Sequence, residues 1–190
     1  YIEMLRVDPT QWTYRDIINK CMEYEAMGYE IKMLMLDYLA MVPTTGCTEG
    51  PTGSDVRDMY RRIRNYFSPR GTVVFTPHQL STEAKMKKRE GALGFVKEMP
   101  GGGYYDKCKT IDNEVDIELF IDIEKYKGRS YLAVQRGKHR LNTIISDDDK
   151  YFLLPFMFNG TILDDIDTQD SSLPSFGARR KQEHAEDMDY

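Results

Sequence analysis

Asp37 follows an apolar stretch, Ile31-Lys32-Met33-Leu34-Met35-Leu36, and precedes Tyr38-Leu39-Ala40-Met41-Val42-Pro43. An apolar run of strand length suits a central strand of a parallel sheet, covered on both faces. Its carboxylate then lies at the C-terminal edge of the sheet, where open α/β sheets bind their ligands. A carboxylate there is a partner, direct or through water, for the Mg²⁺ of a nucleotide. The same pattern also describes a buried strand whose Asp caps the next turn. His78 and Gln79 repeat the placement. Val73-Val74-Phe75-Thr76 reads as a second buried strand, and Pro77-His78-Gln79-Leu80-Ser81 ends it. A polar side chain at such an end can sense a γ-phosphate or an attacking water by hydrogen bonding. Two strands ending alike favour a ligand over a loop that merely holds a His and a Gln.

Cations form two groups. Gln135-Arg136-Gly137-Lys138-His139-Arg140 is a dense cluster at a strand end. Lys85, Lys87, Lys88, Arg89 and Lys97, followed by Lys107 and Lys109, make residues 82–109 basic, and Gly91, Gly94 and Gly101-Gly102-Gly103 make them flexible. A loop of this kind can grip a phosphate backbone through lysines and backbone N–H groups. It reads equally well as a surface loop with solvated lysines. Metal chemistry through Cys and His is a poor match. The chain has three His and three widely spaced Cys (Cys21, Cys47, Cys108) with no CxxC pair, which matches no familiar zinc spacing. Free thiols in a reducing, cytosolic setting fit this cysteine usage.

The elements that position these groups follow from periodicity and punctuation. Tyr1 to Val7 reads as a short strand or strand end. Thr13 caps a helix running to about Met27, with Asp16 three residues on as a capping-box partner and Ile17, Ile18, Cys21, Met22 and Tyr24 near one face. Gly28 ends it, and the Asp37 strand follows. Residues 42–54 form a Pro/Gly/Thr-rich loop hanging off that strand. The next helix runs from Ser54-Asp55 to about Tyr66, with Val56, Met59, Tyr60, Ile63 and Phe67 inward and Arg57, Arg61 and Arg64 on a solvated face. Val115–Ile123 and Ser130–Arg136 make a hairpin turning at Lys127-Gly128, and Tyr151–Phe158 is a last strand closing the sheet.

With 190 residues, 41% hydrophobic and 30% charged, the chain is an ordinary globular domain with room for a substantial core. It contains no run of transmembrane length and no signal peptide. Two regions are expected: a body, residues 1–160, and a poorly ordered acidic tail, residues 161–190. The tail holds eight acids and three bases, a balance equal to the net charge of −5 of the whole chain. The body is therefore neutral, which is no bar to nucleic-acid binding because local patches do that work. The chain begins with Tyr, not Met, and is expected to be a piece of a longer one.

The order of these parts resembles the C-terminal half of the RecA-like motor domain of DnaB-type replicative helicases, including their tailed-phage relatives, over residues 13 to 158. Leu36-Asp37-Tyr38-Leu39 matches the family's Walker B "IDYL", and Gln79-Leu80-Ser81 resembles its "QLN" sensor. Asp112-Asn113-Glu114-Val115-Asp116-Ile117 resembles "IEQDAD". Gln135-Arg136 resembles "KQRNG", whose Arg is a finger reaching the neighbouring subunit's nucleotide. The resemblance implies an α/β fold: a RecA-like P-loop NTPase core fragment, mostly parallel sheet, with a C-terminal antiparallel β-hairpin. It implies ATP and Mg²⁺ as cofactors. Asp37 takes the metal, Gln79 or His78 is the sensor, and Arg136 is the finger. The family's lysine two places before the finger is Val134 here, so the second cation falls to Lys138 or Arg140 or is absent. Lys85, Lys87, Lys88, Arg89 and Lys97 are the implied DNA contacts.

The partners implied are single-stranded DNA and further copies of the chain in a ring of six. Primase is a further one, as is a DNA polymerase docked on the acidic tail ending at Tyr190, a tail that reads more readily as a solubilising, self-repelling segment. No membrane partner is implied, and the setting is the cytoplasm, a host's if the chain is phage-encoded. No G-x-x-x-x-G-K-[ST] occurs in the chain. The P-loop would precede Tyr1, and this stretch would not hydrolyse ATP alone. A KaiC- or RecA-like ATPase or recombinase and a non-catalytic nucleotide-binding scaffold are the alternatives.

Overall fold

A computed structural model describes residues 1–89, 94–126, 128–140 and 150–156. The residues expected to form the acidic tail, Tyr190 included, lie outside them, as does the boundary at 160. The body divides into two compact units. Unit 1 comprises residues 1–82 and 103–115, and unit 2 comprises residues 83–102 with 116 onward.

Unit 1 is built on two helices and a short parallel sheet. Helix α1 spans Tyr14–Ala26 and buries Tyr14, Ile17 and Cys21. Its start is closed as the sequence suggests: the Thr13 N–H and hydroxyl both donate to Asp16 Oδ2, at 2.8 and 2.7 Å. Met22 is exposed, so the apolar stripe is narrower than the one read from the sequence. Helix α2, Ser54–Phe67, buries all five apolar residues of its expected inner face: Val56, Met59, Tyr60, Ile63 and Phe67. Gly53, just before it, has φ +78°, and a Cβ there would lie 2.0 Å from the Lys107 carbonyl oxygen. Only glycine lets α2 begin against that backbone. Strands β1 (Met33–Met35) and β2 (Val73–Phe75) pair in parallel, Met33 with Val73 and Met35 with Phe75.

Three expectations change in this unit. Residues 1–7 form no strand and are exposed. The apolar run around Asp37 yields only three strand residues, because Leu39–Met41 turns into a 3₁₀ segment that buries Leu39 and Ala40 instead. Neither strand is covered on both faces: Met33, Met35, Val73 and Phe75 are exposed.

Unit 2 is an antiparallel sheet of β3 (Ile117–Tyr126), β4 (Arg129–His139) and β5 (Tyr151–Pro155), in that order. The hairpin stands where the sequence places it. Among the described residues, however, parallel pairing is confined to β1 and β2, and β5 pairs with β4 rather than closing a mostly parallel sheet. β4 also runs on through His139, so the cationic cluster lies within the strand rather than after it. The basic segment is more structured than a flexible loop. Helix α3 spans Thr82–Arg89, and Phe95–Glu98 is a 3₁₀ turn whose Phe95 and Val96 are buried, as is Met99. On one sheet face Phe120, Ala133, Tyr131, Tyr151 and Leu153 are buried. On the other, Leu119, Ile121, Ile123 and Phe152 are exposed.

Candidate functional site

The C-terminal ends of β1 and β2 are tied side by side. The Leu36 N–H donates to the Phe75 carbonyl at 2.9 Å, and the Leu39 N–H donates to the Thr76 hydroxyl at 2.9 Å. Asp37, between those two bonds, is exposed, and the Asp37–Tyr38 peptide bond is cis. The segment after β2 is held from the other side. The Ser81 N–H donates to the Tyr104 carbonyl at 2.8 Å and the Asp106 N–H to the Gln79 carbonyl at 2.9 Å, with Leu80 bridging Tyr105 antiparallel. Gln79 is anchored by its backbone while its side chain is exposed. Asp37 and Gln79 thus share one sheet edge, as the sequence predicts, and neither side chain has a hydrogen-bond partner among the described residues.

His78 is placed differently. Its Nδ1 accepts from the Tyr60 hydroxyl at 2.9 Å, and its Nε2–H donates to the Asp106 carbonyl at 2.8 Å. Burial pushes its pKa below the ordinary histidine value and so favours the neutral ring in which these directions hold. With both nitrogens engaged internally, His78 braces the edge, and Gln79 is the residue of the two whose side chain is exposed there.

The loop after Asp37 is pinned by residues that the sequence reading did not single out for it. Asp58 Oδ2 accepts from the Thr48 N–H and from Arg62 Nε, both at 2.8 Å. Arg62 also donates to the Tyr14 hydroxyl at 2.9 Å, which joins α1 to α2. The Thr44 hydroxyl donates to Asp55 at 2.7 Å, and Lys107 Nζ to the Ala40 carbonyl at 2.9 Å. Arg57 and Arg61 are not simply solvated. Both meet buried Glu114, at 2.7 and 3.0 Å, and the pair holds its carboxyl below the ordinary value despite burial. Only the Asp58–Arg62 pair has helical i, i+4 spacing that the sequence could announce; the other contacts join residues at least 10 apart in the chain. Among the described residues no three His, Cys, Asp or Glu side chains converge as a metal cage. A lone exposed carboxylate suits Mg²⁺, which is commonly bound by one or two carboxylates, substrate phosphates and water.

In unit 2, Arg136 lies opposite Leu119 on β3. It is half-buried, and its Nε is buried without a hydrogen-bond partner among the described residues. The next two residues interrupt the ladder: Glu118 Oε2 accepts from the Lys138 N–H at 3.1 Å, and a Cβ at position 137 would lie 2.1 Å from that oxygen. Arg140 is paired with Asp116 through Nε at 3.0 Å and through its N–H to the Asp116 carbonyl at 2.8 Å. The five lysines and arginines of the basic segment separate. Lys88 pairs with Asp122, Lys87 lies 3.7 Å from Glu98, and Lys97 Nζ sits 4.0 Å from the Tyr151 ring centre. Lys85 and Arg89, four residues apart on α3, are exposed and make no ion pair among the described residues.

A model of the divergent DnaB-like ATPase family matches residues 1–186. The chain belongs to that family. No curated protein matches it. The expectation of a DnaB-like domain is therefore borne out, and the family suggests an ATPase-related setting. Among the described residues no helix is long and apolar enough to cross a membrane.

Proposed function

We propose that this chain is the part of an ATP-dependent replicative DNA helicase that carries Asp37, Gln79 and Arg136 of a RecA-like core, working as a homo-oligomeric ring on single-stranded DNA. The observation that supports it best is the shared edge: Asp37 and Gln79 stand at adjacent parallel strand ends, side chains exposed, on backbone fixed from both sides. Asp37 would order the metal's water shell, and the Gln79 amide would hydrogen-bond the γ-phosphate or the attacking water. Mg²⁺, when bound, neutralises charge on the phosphate oxygens. Arg136 would act in trans on the neighbouring subunit's nucleotide, its orphan Nε an available donor. Fingers of this kind contribute roughly 10³- to 10⁵-fold in rate. The phosphate cradle would come from residues outside these 190. Lys85 and Arg89 are the DNA contacts the arrangement favours, because Lys87, Lys88 and Lys97 already meet partners within their own unit.

The test is ATPase activity of the full-length gene product with and without single-stranded DNA, for wild type, Arg136→Ala, Asp37→Ala and an equal mixture of the two variants. Each variant alone is expected to lose activity. The mixture should regain part of it, because some interfaces then pair an intact Asp37 with an intact Arg136. Activity indifferent to DNA would favour a KaiC- or RecA-like ATPase. No activity in the wild type would favour a non-catalytic scaffold.

A further inference from the structure

β4 has one residue more than β3 between two rungs of their ladder. Leu119 pairs with Arg136 and Ile117 with His139, so Glu118 alone opposes both Gly137 and Lys138. In an uninterrupted strand, residues three apart point to opposite faces. The inserted residue resets that alternation. Leu119 and Ile117 are two apart on β3 and share a face, so their partners Arg136 and His139 share it too. The bulge therefore gathers onto one surface two groups that a regular strand would separate. Glu118 holds it in place, its carboxylate lying over Gly137 and accepting the Lys138 N–H.

Both gathered side chains have an unmet requirement. Arg136 Nε and His139 Nδ1 are buried with no hydrogen-bond partner among the described residues. Buried polar atoms are nearly always paired, so each exception asks for a reason. Here a guanidinium nitrogen and an imidazole nitrogen on one face share a reason: a single anion accepting from both. Both residues are only half-buried, so a turn of each side chain presents these nitrogens without breaking the ladder. The other cations of the cluster have carboxylates at hand. Arg140 pairs with Asp116, and the Glu118 carboxylate attracts Lys138.

We propose that His139, rather than Lys138 or Arg140, is the second anion-binding group beside Arg136, donating from Nδ1 to phosphate oxygens of the nucleotide held by the neighbouring subunit. This rests on the reading of Arg136 as a trans-acting finger. It is tested in the full-length gene product by measuring DNA-stimulated kcat and KM for ATP with His139→Ala and His139→Asn, each alone and mixed with Asp37→Ala, beside Arg136→Ala treated the same way. The His139→Ala variant is expected to lose roughly 10- to 100-fold in kcat, the scale of one hydrogen bond to a charged group. It should regain activity on mixing, and Asn, whose amide N–H replaces Nδ1–H, should keep an intermediate rate. Wild-type kcat in His139→Ala, or a loss that mixing does not repair while Arg136→Ala is repaired, overturns the His139 assignment alone. Failure of Arg136→Ala to be repaired overturns the finger reading and this inference with it.

Discussion

His78 is held between the Tyr60 hydroxyl at Nδ1 and the Asp106 carbonyl at Nε2, and its burial favours the neutral ring. Burial lowers the folded pKa of His78, whereas in the unfolded chain it titrates at the ordinary value of about 6.5. Below that value the unfolded chain takes up a proton that the folded chain still refuses. Stability from this residue is therefore complete above about pH 6.5 and is lost as the pH falls through the lower, folded value. Urea unfolding between pH 7.5 and 5 should show this loss above the carboxylate range, and His78→Asn should flatten it. The sequence makes Asp37, His78 and Gln79 legible as polar residues at strand ends. It does not separate their roles, since what decides is an Nδ1 partner on α2 and a carbonyl contributed by the segment after residue 103.

α2 shows both what periodicity reveals and what it hides. Its inner face, Val56 to Phe67, follows from 3.6-residue spacing and is buried as read. Its arginine face looks solvated, yet Arg57 and Arg61 converge on Glu114, whose side chain is 7% exposed. That contact fastens α2 to the 3₁₀ turn Ile111–Glu114 and brings the 103–115 segment beside the first eighty residues of unit 1. Glu114→Ala is expected to lower unfolding free energy by about 1–3 kcal/mol, the scale of losing charge-assisted bonds at a buried acceptor. Arg57→Ala should lose less, because Arg61 still reaches the carboxylate; urea denaturation of both variants compares them. A second element, the hairpin of β3 and β4, is legible from alternation and Gly128, but its bulge is not. Inserting one residue leaves the apolar pattern intact on either side and shows only in the pairing.

At the scale of the whole molecule, each unit leaves a sheet face open. Met35 is 67% exposed in one, and Ile121 is 52% exposed in the other. Soluble monomers seldom leave broad apolar patches uncovered. The 190-residue chain on its own should therefore bind a hydrophobic dye and self-associate as its concentration rises. Sedimentation velocity should show that association weakened by Ile121→Lys with Ile123→Lys. A sequence reader sees apolar strands and infers burial on both sides, because alternation and hydropathy describe a strand and not its neighbours. The chain passes between the units at residues 82–83, 102–103 and 115–116, and the first two crossings meet at a neck where the Ser81 N–H donates to the Tyr104 carbonyl. Its ends clasped, the stretch between them is a loop already closed, so the burial of its Phe95, Val96 and Met99 is not charged with the entropy of bringing distant chain ends together.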